Sequence, residues 1–118
     1  MNARSATFVA TVLGLCLSGS SASGAAPPTL SYFCQSSVMD SHTFYVTDVF
    51  TVTAQTSDVT NAWRAHIAGV DAKARQTALC QGGLDVPSLE DLRKLTTKSF
   101  VELELSVVDV AWSYAAPP

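Results

Sequence analysis

The chain has 118 residues, of which 47% are hydrophobic and only 14% charged, and its formal net charge is −3. This length corresponds to one small domain. The sequence contains no run of basic residues, so nucleic acid and anionic membrane surfaces are excluded as expected partners.

An apolar segment near the N-terminus predicts an export signal. Arg4 supplies a positive charge, the stretch from Ala6 to Leu17 is apolar and uncharged, and small residues follow from Ser18 to Ala26. This is the pattern of a secretory signal peptide. The apolar stretch is too short for a transmembrane helix, which needs about 20 residues. We therefore expect cleavage near Gly24 or Ala25, a periplasmic or secreted protein, and no integral membrane span in the mature chain.

The remaining chain is predicted to be a small acidic domain with one disulfide. Residues 1–25 form the signal peptide and residues 26–118 the domain, which carries six Lys and Arg against ten Asp and Glu. Cys16 leaves with the signal, so Cys34 and Cys80 are the only two cysteines that remain to pair. An oxidising compartment favours that bond, and a domain of this size has only a modest core to hold it together.

Two strands open the domain. The segment from Leu30 to Val38 is rich in strand-forming residues, and polar residues from Met39 to His42 predict a turn. The segment from Thr43 to Ala54 alternates with a period of two, as a half-buried strand does. The alternation places these apolar side chains on one face: Phe44, Val46, Phe50 and Val52.

Asp48 interrupts this alternation. Its position in the sequence places a carboxylate on the apolar face, between Val46 and Phe50. A buried carboxylate must be paired or hydrogen-bonded, because burying it alone costs several kcal/mol. Asp48 is therefore either functional, as a tuned acid or an anchor for a partner's cation, or structural. A structural carboxylate would accept from backbone N–H groups or lie at a sheet edge or bulge.

Helices are predicted in the middle of the chain. Ser57 or Asp58 can cap the first helix, whose apolar stripe is formed by Val59, Trp63, Ile67 and Val70. His66 lies beside this stripe. A shorter helix or turn from Ala72 to Gln81 carries Cys80, and a third helix opens at Pro87 with Ser88 and Asp91 spaced as a capping box.

The last element is predicted to be the longest strand. From Val101 to Val107 the odd-numbered positions are apolar, and from Val108 to Tyr114 the even-numbered positions are apolar. Because a strand cannot change faces without an extra residue, this predicts a β-bulge near Val107 and Val108. The complete order of elements favours an α+β fold in which a small antiparallel sheet is covered by helices on one face.

The sequence contains no recognisable catalytic motif. General acid–base chemistry would have to use Asp48 with His66, or Glu102 with Glu104, which would lie about 7 Å apart on one strand face. Asp40 and His42 could form only one edge of a metal site, so we expect neither a metal nor another cofactor.

The chain resembles a group of small exported bacterial proteins of unknown function. The residues that carry the resemblance are Tyr32-Phe33-Cys34, Tyr45-Val46-Thr47-Asp48-Val49-Phe50, Trp63, Cys80 and Val110-Ala111-Trp112-Ser113-Tyr114. The resemblance supports the Cys34–Cys80 bond and implies that Asp48 and Trp112 belong to the shared framework. It brings no known activity.

Export, small size and the absence of a catalytic set favour an interaction domain over an enzyme. The expected function is to bind another protein in the envelope or outside the cell, as an inhibitor or immunity-type protein or as an accessory of an envelope complex. Tyr45, Trp112 and Tyr114 are the candidate interaction residues, with Asp48 as either an interaction or a structural residue. The alternative is a small hydrolase or ligand-binding protein that uses the acidic residues and His66.

Overall fold

The fold is α+β, as the sequence predicts. The computed structural model describes residues 27–115, so the signal peptide predicted for residues 1–25 lies outside the described residues. The strands are β1 (Thr29–Val38), β2 (Thr43–Val46), β3 (Phe50–Thr53), β4 (Leu79–Gly82) and β5 (Ser106–Asp109). The helices are α1 (Thr56–Val70), a 3-10 helix (Ala72–Thr77) and α2 (Val86–Glu102). None of these helices is long and apolar enough to span a bilayer.

β1 is the central strand of the sheet. Tyr32 pairs with β3 on one side and with β4 on the other, and Gln35 likewise pairs with β2 and β4. β2 and β3 therefore follow one another along one edge of β1, and β4 lies along the opposite edge. β5 pairs with β2 on its outer side, in parallel orientation.

The sheet is therefore mixed, whereas the sequence predicts an antiparallel one. β4 is antiparallel to β1. β5 is parallel to β2, which is itself antiparallel to β1, so β4 and β5 run in the same direction. Two strands of the same direction cannot be joined by a hairpin and need a crossover, which is usually a helix. Here α2 forms that crossover.

A β-bulge separates β2 from β3. Val46 lies opposite Gln35 and Phe50 lies opposite Tyr32, so four steps along this edge match three steps along β1. The extra residue falls within the segment 47–49 and reverses which face each later side chain occupies. Phe50 and Val52 consequently do not share a face with Phe44 and Val46, which corrects the single apolar face expected from the alternation.

The two faces of the sheet carry two separate cores. The first core lies between the sheet and α1 and includes Tyr32, Cys34, Tyr45, Val59, Trp63 and Ile67. The second core lies under α2 and includes Phe33, Phe44, Val46, Leu89 and Leu105. Helices thus cover both faces rather than one, because β1 is apolar at successive positions and successive side chains point to opposite faces.

α1 packs on the sheet through the predicted stripe. Val59, Trp63 and Ile67 are buried, and the indole N–H of Trp63 donates to the carbonyl oxygen of Gln35 at 2.9 Å. Val70, the last member of the predicted stripe, is exposed. The helix begins one residue before Ser57 and uses no side-chain cap, so the predicted capping role of Ser57 or Asp58 is wrong.

The disulfide joins two neighbouring strands. The segment predicted as a short helix divides into the 3-10 helix and β4, and β4 carries Cys80 opposite Cys34 of β1. The two residues are bonded, with their Cα atoms 4.0 Å apart, and both are buried. The predicted bond is confirmed. It connects strand to strand within the sheet, however, and not the helical layer to the sheet.

α2 includes Val101 and Glu102, the first two residues of the segment that the sequence predicts as a strand. Asp85 caps the helix by accepting a hydrogen bond from the N–H of Ser88 at 3.1 Å, which displaces the predicted capping box. Hydrogen bonds from Ser88 hold the pKa of Asp85 below its usual value. The helix continues to Glu102, so only Ser106 to Asp109 remain as β5, and their register with β2 contains no bulge.

Candidate functional site

Asp48 lies in the β-bulge and not on an apolar face. Its side chain is 98% exposed, and one carboxylate oxygen is 3.6 Å from a terminal nitrogen of Arg93. Thr47 attaches the bulge to β1, because its hydroxyl accepts a hydrogen bond from the backbone N–H of Cys34 at 3.0 Å. The broken alternation at Asp48 therefore marks the extra residue of the sheet edge.

Arg93 connects α2 to this bulge and to β5. Its Nε donates to the carbonyl oxygen of Thr47 at 2.8 Å, and one terminal nitrogen is 3.0 Å from a carboxylate oxygen of Asp109. The Arg93 side chain is only 20% exposed, whereas the two carboxylates that it contacts are mostly exposed. The cluster is built to hold the edge of the sheet, because its cation is already surrounded by acceptors.

Tyr45 is a buried member of the first core. Its hydroxyl donates to a carboxylate oxygen of Asp71 at 2.9 Å, and the other oxygen of Asp71 accepts from the N–H of Lys73 at 3.0 Å. Burial, the hydrogen bond to Asp71 and the charge of that carboxylate raise the pKa of Tyr45. This predicted interaction residue therefore presents almost no surface to a partner.

Trp112 fills the space between α1 and β3. Its ring meets Phe50 edge-on at 5.8 Å between centroids and lies 5.4 Å from the ring of Trp63. His66 also stacks on Trp112, at 5.7 Å between centroids with a 24° angle between the planes. Trp112 and Tyr114 are half-buried against the first core. Much of each ring is thus used in packing, and the remainder faces solvent.

The structure does not assemble the two candidate catalytic pairs. His66 belongs to α1, whereas Asp48 contacts Arg93 of α2, which covers the opposite face of the sheet. Glu102 ends α2, and Glu104 follows in the turn with a left-handed φ of 67°. These two glutamates are exposed and do not share a strand face as the sequence predicts.

A shallow open depression of about 310 Å³ lies between the β1–β2 turn and the 3-10 helix. Two of its lining residues, Asp40 and Lys73, form an exposed ion pair at 3.2 Å. Within residues 27–115 no group of three or more His, Cys, Asp and Glu side chains is arranged to hold a metal ion.

An apolar surface lies at the end of α2 and on β5. We call this the C-terminal apolar surface; its members are Val101, Leu103, Val107 and Val108, with exposed fractions of 50%, 58%, 37% and 39%. Val107 lies opposite Phe44, which stacks on Phe100 of α2 at 4.3 Å between ring centroids. Val107 therefore lies on the face of the sheet that carries the second core, whereas Val108 lies opposite Tyr45 on the face of the first core.

Comparison with protein-family models, with curated proteins and with solved structures found no match. The resemblance to small exported bacterial proteins stays a prediction for this chain. Function is therefore inferred from the chain's own residues.

Sequence reasoning missed Arg93 and the C-terminal apolar surface. The position of Arg93 near the end of a predicted helix suggests only a favourable interaction with the helix dipole. Asp48 was the available signal, because a carboxylate that breaks an alternating strand calls for a cation from another element. The valines of β5 were predicted to lie within a long strand, so nothing indicated that both would stay exposed.

Proposed function

We propose that this protein is an exported interaction domain that binds another protein in the envelope or outside the cell. It would act as an inhibitor or immunity-type protein, or as an accessory of an envelope complex. The N-terminal pattern of Arg4 followed by an apolar stretch and small residues supports export. A disulfide between Cys34 and Cys80 is compatible with an oxidising compartment.

The observation that carries the proposal is the C-terminal apolar surface. Four aliphatic side chains between Val101 and Val108 stay exposed although the domain has two cores available. Single exposed apolar residues are common, whereas several on adjoining parts of the fold, here the end of α2 and both faces of β5, favour an interaction site. Trp112 and Tyr114 follow on the same C-terminal segment, and each is only half-buried against the first core.

The proposal is tested with the purified, disulfide-bonded protein as bait against envelope and secreted fractions. A partner should be retained by the wild-type protein and lost with Leu103→Gln or Val101→Gln. Val70→Gln is the matched control, because Val70 is equally exposed at the end of α1. A bait that retains no protein from any fraction would overturn the proposal.

The two forms of the function differ in the complex that they produce. An accessory protein should elute with its complex at a fixed stoichiometry during gel filtration. An inhibitor or immunity-type protein should instead bind one enzyme and reduce the activity of that enzyme in proportion to occupancy. Either outcome agrees with an interaction domain, and the measured stoichiometry decides between them.

A further inference from the structure

The outer edge of β5 has free backbone hydrogen-bonding groups. The N–H of Ser106 donates to the carbonyl oxygen of His42 at 2.7 Å, and the N–H of Val110 donates to that of Val46 at 2.9 Å. Backbone groups along a strand point alternately to its two sides, so those of Val107 and Asp109 point away from β2. Among the described strands, none pairs with this side of β5.

Proteins normally protect such an edge. A strand with unpaired N–H and C=O groups is a template for another strand, and a short strand, charged residues, Pro or a bulge on the edge oppose that pairing. β5 is short, with the sequence Ser-Val-Val-Asp; it contains no Pro, its register with β2 is regular, and Asp109, its only charged residue, is paired with Arg93. Its two valines are partly exposed and, as neighbours along a strand, point to opposite faces of the sheet.

The charged residues that follow Lys98 in the sequence are acidic. From Ser99 to Pro118 they are Glu102, Glu104 and Asp109, and no Lys or Arg occurs in that stretch. Arg93 forms an ion pair with Asp109 of β5, and its Nε also donates to the carbonyl oxygen of Thr47. A second copy of this chain would bring two acidic edges together, which is unfavourable. A cationic segment would be attracted.

We infer that the outer edge of β5 is the binding site for an extended, apolar and basic segment of another protein, which adds to the sheet as a further strand. The inference rests on the proposed function and names the surface and the chemistry of the partner. Main-chain hydrogen bonds to Val107 and Asp109 supply the affinity. Apolar side chains of the segment cover Val107 and Val108, and its Lys or Arg residues lie near Glu104 and Asp109.

The test uses a seven-residue peptide of alternating Val and Thr with a Lys at each end. It is added to the purified, disulfide-bonded protein, and amide hydrogen exchange is measured by NMR. We expect exchange to slow at least tenfold at the amides of Val107 and Asp109. The amides of Ser106 and Val110 should change little, because they are already bonded to β2.

Matched peptides and variants separate this edge from nonspecific binding. A peptide with Glu at each end, and one with Pro at its central position, should give no protection. Glu104→Lys should weaken binding of the Lys peptide at least fivefold, whereas Asp58→Lys makes the same charge change on α1 and should have little effect. Val108→Thr should weaken binding, with Val70→Thr as its control.

Three results would overturn the inference. The first is equal protection by the Lys and Glu peptides, or none by either. The second is protection of Val107 and Asp109 that grows with protein concentration in the absence of peptide, which would assign the edge to a second copy. The third is a partner captured by the bait whose binding is unchanged by Glu104→Lys and Val108→Thr; in that case the proposed function stands and the edge does not serve it.

Discussion

The Nε–H of Arg93 donates to the carbonyl oxygen of Thr47 at 2.8 Å, and this hydrogen bond connects α2 to the β-bulge. The bulge is the point at which the edge strand changes which face each side chain occupies. One side chain therefore fixes the position of α2 over the second core and the geometry of the bulge. The same guanidinium reaches Asp109, so β5 is attached to the same point.

Arg93→Ala is expected to lower the free energy of unfolding by about 1–3 kcal/mol, because it leaves the Thr47 carbonyl without its donor. The ion pairs to the exposed carboxylates should add little to this loss. Arg93→Lys should lose most of the same stability, since an ammonium does not reproduce the planar guanidinium geometry. Urea denaturation measures both variants. Lys94→Ala is the exposed neighbouring control, and an equal effect of the Arg93 and Lys94 variants would contradict the prediction.

The disulfide should supply a large part of the stability. Cys34 and Cys80 are 46 positions apart, and the chain-entropy model gives about 4 kcal/mol for closing such a loop. Reduction, or the double replacement Cys34→Ala with Cys80→Ala, should lower the Tm by roughly 15 °C or more. Calorimetry with and without reductant measures the shift. Reductant should leave the double variant unchanged, and an unchanged Tm of the reduced wild-type protein would refute the role of the bond.

Stability should fall at alkaline pH through Tyr45. Because the pKa of Tyr45 is raised in the folded state, its stabilising contribution is complete below its unfolded-state pKa of about 10 and is lost as the pH rises through the raised value. Tyr45→Phe should cost about 1 kcal/mol at pH 7 and should flatten the decline above pH 10. Unfolding free energies between pH 7 and 11 test this. Tyr114→Phe is the control, and an equally steep decline in Tyr45→Phe would contradict the assignment.

Trp112 should stabilise the domain from its C-terminal segment. Trp112→Ala removes contacts to Phe50 and Trp63 and should cost about 2 kcal/mol, less than for a fully buried tryptophan. Trp112→Phe should recover most of that loss, and His66→Ala should cost less because His66 is exposed. Chemical denaturation measures the series. If Trp112→Ala left the stability unchanged, the ring would be available to a partner instead.

Two glycines should respond in opposite directions to replacement by alanine. A Cβ on Gly82 would lie 2.5 Å from Cε1 of Tyr32, whereas a Cβ on Gly69 would meet nothing within 4 Å. Gly82→Ala should therefore destabilise by about 1–3 kcal/mol through overpacking. Gly69→Ala, in α1, should stabilise by about 0.5–1 kcal/mol. Thermal unfolding of the two variants tests the pair, and the same sign for both would contradict the prediction.

The first half of the domain could be predicted from the sequence in most respects. Strand-forming residues located β1, period-two alternation located β2 and β3, and the stripe of Val59, Trp63 and Ile67 located α1, because burial on one side imposes a period on the sequence. The disulfide followed from there being two cysteines in the predicted mature chain. These features depend on neighbouring residues or on simple counting.

The C-terminal half could not be predicted to the same degree. The stretch after Phe100 alternates as a strand does, yet Val101 and Glu102 belong to α2 because Phe100 packs on Phe44 and extends the helix. That contact joins residues 56 positions apart in the chain. Local propensity at the end of a helix is weak, and tertiary packing therefore decides where the helix ends.

The sequence by itself determined the fold class, the first strand, α1 and the pairing of Cys34 with Cys80, and it predicts an export signal. The tertiary structure alone decided that the sheet is mixed, that helices cover both of its faces, and that Asp48 meets Arg93. It also decided which valines stay exposed on β5. The reason is physical: periodicity and composition record how each segment is buried, whereas strand direction, strand order and long-range pairing depend on contacts between segments that no local pattern contains.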